Sequence, residues 1–184
     1  MIASILSIGV LNIATRAQKP AKVQGIHRSF PVFIRLCYVW LTVAAGLSMW
    51  AAASDHFGGI WGASRHSLTV GFLAGMIFAI GPRILPAFAG GKQLFSPRLM
   101  LASCSLLNFG CLLRVSSEIP AYEKLLHGAA LQAAWHALPC SAVVELAAVT
   151  LFAVNMALSV LRPAAPVVDS RLYPISLSQG PKLT

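Results

Sequence analysis

A stretch of eighteen residues from Leu36 to Ala53 contains no charged side chain, and this feature constrains the fold more than any other. About 20 apolar residues in a helix cross the roughly 30 Å hydrocarbon core of a bilayer. The whole chain of 184 residues is 57% hydrophobic and 10% charged, whereas a soluble domain is about 25% charged. A soluble domain of this size could not bury so much apolar surface, and alternating barrel strands do not need such unbroken runs. The sequence therefore predicts an all-α, polytopic membrane helical bundle.

Four segments are predicted to span the membrane and to form one membrane domain over residues 1–163. They cover approximately residues 30–53, 64–90, 98–117 and 140–162. Pro82 and Pro86 are expected to bend or end the second segment, because proline removes a helical hydrogen bond. Residues 121–138 contain charged and histidine side chains, and are predicted to be a connector with an interfacial helix.

The two ends of the chain differ from this core. Residues 2–15 are predicted to be a short apolar helix, which is a candidate for a fifth, partial span because thirteen apolar residues reach only about 20 Å. Residues 164–184 are rich in Pro and Ser, and are predicted to be a flexible cytoplasmic tail.

Lys and Arg are distributed unevenly between the predicted sides of the membrane. Only Arg65, Arg114 and Lys124 fall in the first and third connections, and the other eleven lie before the first span or at its start, in the second loop or in the tail. Positive loops stay in the cytoplasm, so these latter regions are predicted to be cytoplasmic. The basic residues flank apolar runs and do not cluster with stacking aromatics, so nucleic acid is not an expected partner.

Several spans carry regular stripes of small or polar residues. On the second span the stripe is Ser67, Gly71, Gly75 and Ala79, a spacing that lets another helix approach closely. The third and fourth spans have seam patterns at Cys104, Asn108, Cys111 and Val115, and at Glu145, Ala148, Phe152, Asn155 and Ser159. Packing is predicted for these seams, with Asn108 and Asn155 hydrogen-bonding across helices.

Four of the five histidines fall on the predicted outer side: His56, His66, His127 and His136. Imidazole is a common ligand of haem iron and copper, so one hypothesis is a haem or metal site near the outer leaflet, with His66 as its best candidate. The alternative is hydrogen bonding to headgroups and backbone. His127 and His136 are nine residues apart and would point in opposite directions on one straight helix, so at most one of them faces a shared site.

Glu145 is the only carboxylate within a predicted span, and is expected to be paired or protonated because a lone charge in lipid is costly. Arg65 and Arg114 are its expected partners. Glu145 is expected to form a structural ion pair or, alternatively, to act in a proton relay or as the partner of a haem-ligand histidine. Arg83 is a candidate partner for a haem propionate or a lipid phosphate, with simple snorkelling as the alternative.

Motifs in collinear order over residues 28–163 resemble one known family. They are Ile34-Arg35-Leu36-Cys37-Tyr38-Val39-Trp40-Leu41, Arg65-His66-Ser67-Leu68-Thr69-Val70-Gly71-Phe72, Pro82-Arg83-Ile84-Leu85-Pro86, Ser96-Pro97-Arg98-Leu99-Met100, Leu107-Asn108-Phe109-Gly110-Cys111-Leu112-Leu113-Arg114-Val115, Leu138-Pro139-Cys140-Ser141-Ala142 and Phe152-Ala153-Val154-Asn155. Together they resemble the C-terminal third to half of the NnrS family, bacterial inner-membrane proteins of the nitric-oxide response described as containing haem and copper. The Trp-His-Ala-His-Glu-type segment associated with that family is absent from this sequence.

The resemblance implies an inner-membrane protein of nitric-oxide or nitrosative-stress metabolism that binds haem b, with copper as a second cofactor. The candidate haem-site residues are His66, His127, His136, Arg83 and Arg114, and the candidate metal ligands are His66, His136 and His56. The competing hypothesis is a non-catalytic membrane subunit within a larger respiratory or nitrogen-cycle complex. The expected partners are the lipid bilayer and either another membrane subunit or a second copy of this chain. A small transporter is the weakest reading, because the spans hold few polar residues and no repeat.

Overall fold

In a computed structural model of the chain, residues 25–90 and 92–162 are described, and every regular element among them is helical. The first span is α1, Phe30–Ser54. The second is continuous and consists of α2, Gly59–His66, a π-helical segment, Ser67–Ala74, and α3, Gly75–Phe88. The third and fourth are α4, Pro97–Tyr122, and α5, Gly128–Leu161. All four are long and apolar enough to cross a membrane, which confirms the predicted all-α membrane bundle. The predicted helix at residues 2–15 and the tail at 164–184 lie outside the described residues.

Of the two outcomes expected from sequence, bending or ending the helix, Pro82 and Pro86 do not end the second span, because α3 continues through both of them to Phe88. A proline at position 82 leaves the carbonyl of Phe78 without its usual helical donor. The thiol of Cys104 in α4 donates to that carbonyl, with 3.7 Å between sulfur and oxygen. Helix α4 therefore supplies a hydrogen-bond donor in place of the backbone N–H that proline lacks, as is common in membrane helices.

The predicted connector at residues 121–138 is wrong. The last turn of α4 reaches Tyr122, and α5 begins at Gly128, so only residues 123–127 connect the two helices. Pro139 lies inside α5 and does not start it. The first turns of α5 pack on α4, where Ala134 and Leu138 form a small buried cluster with Ala121. This packing stabilises the turns of α5 that precede the proline.

The stripe of small residues on the second span packs against α1, as predicted. A Cβ atom added to Gly71 would lie 2.5 Å from Cγ of Trp40, and one added to Gly75 would lie 2.9 Å from the sulfur of Cys37. Neither distance is sterically allowed, so glycine at both positions is what permits the close approach of the two helices.

Asn108 and Asn155 both form the predicted hydrogen bonds across helices. The indole N–H of Trp40 donates to Oδ1 of Asn108 at 2.9 Å. Asn155, fully buried in α5, accepts from the backbone N–H of Ser96 and donates to the carbonyl of the same residue, both at 3.0 Å. Ser96 caps α4, so this amide fixes the start of the third span against the fourth.

The charges divide between the two ends of the bundle. At one end, here called the acidic end, loops 55–58 and 123–127 meet, and the N–H of Gly59 donates to Glu123 at 3.3 Å. At the other, the basic end, residues 92–96 before α4 meet the end of α5, where the guanidinium of Arg162 lies 4.1 Å from the ring centroid of Phe95. Short loops between consecutive spans produce this up-and-down arrangement.

Candidate functional site

The most distinctive polar contact in the bundle joins His66 to Glu145. Nε2 of His66 lies 2.9 Å from Oε1 of Glu145, and the two side chains are only 25% and 16% exposed. The pair is a hydrogen bond when the imidazole is neutral and an ion pair when it is protonated. Of the partners expected from sequence, Glu145 contacts a histidine, His66, which was the alternative, and neither Arg65 nor Arg114.

The backbone around the pair is shaped for it. Glu145 lies in the middle of α5, deeper than the sequence suggests, because α5 starts twelve residues earlier than the predicted span. A Cβ atom on Gly110 of α4 would come within 2.6 Å of Cγ of Glu145, so glycine at this position gives the side chain its room.

His66 is the last residue of α2, and the π-helical segment starts immediately after it. The carbonyl of His66 accepts from the thiol of Cys111 in α4, at 3.9 Å. π-Helical turns within α-helices are frequently found at functional sites. Because the segment begins directly after His66, the backbone alone marks this residue as a candidate for a functional role, independently of its side-chain contacts.

A second pair lies nearer the acidic end, between Arg114 and Glu118, four residues apart on α4. Nε of Arg114 lies 3.3 Å from Oε2 of Glu118. Glu118 is 7% exposed, and its carboxylate occupies space that a side chain at Gly62 of α2 would fill. Glu145 is therefore not the only carboxylate within a span.

Sequence reasoning missed Glu118 because the third span was predicted to end at Ser117. The signal was present, since an Arg and a Glu four residues apart form an ion pair on any continuing helix. Gly110 and Gly62 were also missed, because nothing in a single sequence shows which neighbour a glycine accommodates.

The other predicted site residues do not gather around His66. His56, His127 and His136 are all exposed, and Arg65 is exposed with its guanidinium 6.0 Å from the ring centroid of Trp61. Within residues 25–90 and 92–162, no three His, Cys, Asp or Glu side chains are grouped so that they could hold a metal ion.

Arg83 does not share a site with His66. It lies seventeen residues further along the second span, at the basic end, which is roughly 25 Å at the rise of a helix. The described part of the chain therefore separates Arg83 from the haem-site residues with which the sequence grouped it.

The donor set determines which cofactor the pair suits. Haem iron needs one or two axial ligands from protein, and ligating histidines characteristically donate their second ring N–H to a carboxylate. A His66 that donates from Nε2 to Glu145 has its lone pair on Nδ1 and fits this description. Copper sites draw on several His, Cys or Met ligands, and the described His and Cys residues do not supply such a set.

The loop before α2 sets where that helix begins. The carboxylate of Asp55 accepts backbone N–H groups from Phe57, Gly58 and Trp61, the last at 2.7 Å. Desolvation is the largest single influence and raises the pKa of Asp55, but these three bonds and the hydrogen bond with Glu123 together outweigh it, so its pKa lies below the usual 3.8. A charged Asp55 therefore stabilises the start of the helix that carries His66.

Comparison with known proteins gives one match. A family model described as a domain of unknown function, DUF8744, matches residues 3–161, and its last matched residue is the end of α5. No curated protein and no solved structure matches the chain.

Proposed function

This chain belongs to the DUF8744 family, and we propose that it is an NnrS-like membrane protein that binds haem b through His66 and acts in the response to nitric oxide. The observation that carries the proposal is the 2.9 Å contact between His66 and Glu145 within the bundle. The bacterial inner membrane is its proposed location, with the basic end cytoplasmic, supported by the excess of Lys and Arg at that end.

The roles of the two residues follow from their geometry. Glu145 accepts the Nε2 proton of His66, which fixes the tautomer and leaves the Nδ1 lone pair for a metal. The carboxylate also makes the imidazole more basic and holds its ring in one orientation. A bound haem would supply an iron centre that takes up nitric oxide. We do not extend the proposal to copper, because the described residues do not supply its ligands.

An absorption spectrum of the detergent-purified chain tests this proposal, recorded as isolated and after dithionite reduction. We expect a Soret band and reduced α and β bands that disappear in His66→Ala. Glu145→Gln should retain haem but shift the bands, because an amide is a weaker acceptor than a carboxylate. His136→Ala is the matched control, since that histidine is exposed on α5 and should leave the spectrum unchanged. Absence of haem from the wild-type chain after expression with sufficient haem would refute the proposal.

A second candidate function, a packing subunit in a larger membrane complex, is favoured by an apolar groove between α1 and α4. The groove has a volume of about 650 Å³ and is lined by residues that include Trp40, Trp50, Phe109 and Leu112. Large exposed apolar surfaces of this kind are typical of interaction sites, although in a membrane lipid covers them equally well. This function predicts a stable complex in native membranes, isolated by pull-down of the tagged chain, and no haem in the chain alone.

A further inference from the structure

A second groove lies on the outside of the bundle at the basic end. It has a volume of about 610 Å³ and is lined by Phe30 of α1 and by Ile80, Arg83, Ile84 and Phe88 of α3. Four of these five side chains are apolar, and Arg83 is the only charged one. Phe88 is 86% exposed and Ile84 is 43% exposed, so the groove opens to the surroundings of the helices.

Arg83 is held at this groove and has no acidic partner among the described residues. Its guanidinium carbon lies 5.9 Å from the ring centroid of Phe30, a cation–π distance that leaves its N–H groups available. The described salt bridges, His66 with Glu145 and Arg114 with Glu118, both lie away from the basic end.

The charge around the groove has one sign. The basic end carries six described cations, and all four described acidic residues belong to the other end or to the middle of α5. The cations are Arg28, Arg35, Arg83, Lys92, Arg98 and Arg162, and the acidic residues are Asp55, Glu118, Glu123 and Glu145. Such a cluster next to a membrane attracts anionic lipid.

We propose that this groove binds one anionic phospholipid, with its phosphate on the guanidinium of Arg83 and an acyl chain along Ile80 and Ile84. Apolar walls that include Phe30 and Phe88 accommodate the chain, and the guanidinium is a geometrically suited phosphate ligand. Because cations are in excess at the basic end, the groove should bind lipids with a net negative charge in preference to zwitterionic lipids. This site is independent of whether His66 binds haem.

Native mass spectrometry tests the proposal on the full chain, released from micelles that contain equal amounts of phosphatidylglycerol and phosphatidylcholine. The wild-type chain should retain phosphatidylglycerol preferentially. Arg83→Gln should lower that retention about five-fold, which corresponds to the loss of about 1 kcal/mol. Arg65→Gln is the matched control, because Arg65 is also exposed on the second span beside an aromatic ring but lies outside the groove.

A second variant tests the groove separately from the charge. Ile84→Trp fills part of the groove and keeps Arg83, and it should lower the retention of phosphatidylglycerol. Equal retention of the two lipids by the wild-type chain, or an equal effect of Arg83→Gln and Arg65→Gln, would overturn the proposal. So would release of phosphatidylglycerol by excess inorganic phosphate, since that outcome would indicate a simple anion site.

Discussion

Gly110→Ala is expected to disturb the His66–Glu145 pair by pushing α4 and α5 apart. The added methyl group would lie 2.6 Å from Cγ of Glu145 and 3.3 Å from the carbonyl oxygen of Ser141. Cγ is only one carbon beyond Cβ and the carbonyl oxygen belongs to the backbone, so neither atom moves away when the tip of the Glu145 side chain rotates. The α4–α5 interface must open to accept the methyl group.

The magnitude follows from two opposing effects. Overpacking of this kind destabilises a protein by about 1–3 kcal/mol. Replacing glycine by alanine within a helix stabilises it by about 0.5–1 kcal/mol. The net expectation for Gly110→Ala is a decrease of about 0–2.5 kcal/mol in the free energy of unfolding.

Gly46→Ala in α1 separates the two effects, because a Cβ atom there meets nothing within 4 Å. It should carry only the favourable helix contribution, so the difference between the two variants measures the overpacking directly. Unfolding by added SDS in mixed micelles, followed by tryptophan fluorescence, gives both free energies. If Gly110→Ala proved as stable as Gly46→Ala, the close approach at Gly110 would be refuted.

Two further predictions concern the loops and ends of the helices. Asn155→Ala should lower the free energy of unfolding by about 1–3 kcal/mol in the same SDS assay, because the N–H of Ser96 loses its acceptor and the carbonyl of Ser96 keeps only the bond from the N–H of Met100. Thr150→Val, which removes only a bond within its own exposed turn, is the control and should change little. Asp55 has a lowered pKa when folded, so its contribution to stability is complete above the unfolded pKa and is lost as pH falls through the folded one. In Asp55→Asn, the free energy of unfolding should therefore fall less steeply as the pH is lowered on the acidic side. An unchanged slope in this pH range would contradict the prediction.

The sequence predicts the number and approximate position of the spans well, because hydrophobic length is a local property. It also identifies the helix faces that pack, since the spacing of Gly71 and Gly75 or of Asn155 and Ser159 needs no knowledge of the neighbouring helix. Helix ends were predicted less well. Pro82, Pro86 and Pro139 indicate breaks in isolation, but contacts from other helices, such as the thiol of Cys104, compensate for the lost bonds.

The candidate site was only half predictable for a similar reason. His66 and Glu145 were each identified from their type and position, but the pairing of residues 79 positions apart depends on how α2 and α5 cross. Arg114 was predicted as a partner of Glu145 because the two residues fall on the same predicted side of the membrane, and the predicted third span ended one residue before Glu118. Once α4 is known to reach Tyr122, Arg114 has a nearer partner four residues away.

The length of α5 has a consequence for the bilayer itself. Its 34 residues extend about 51 Å, against a hydrocarbon core of about 30 Å. Such hydrophobic mismatch is relieved by tilting or by local thickening of the membrane. Because Ala134 and Leu138 hold the first turns of α5 to α4, the helix cannot tilt independently, and α4 must tilt with it. The chain should therefore favour thicker membranes, and lipids of different acyl length would change the tilt of both helices together.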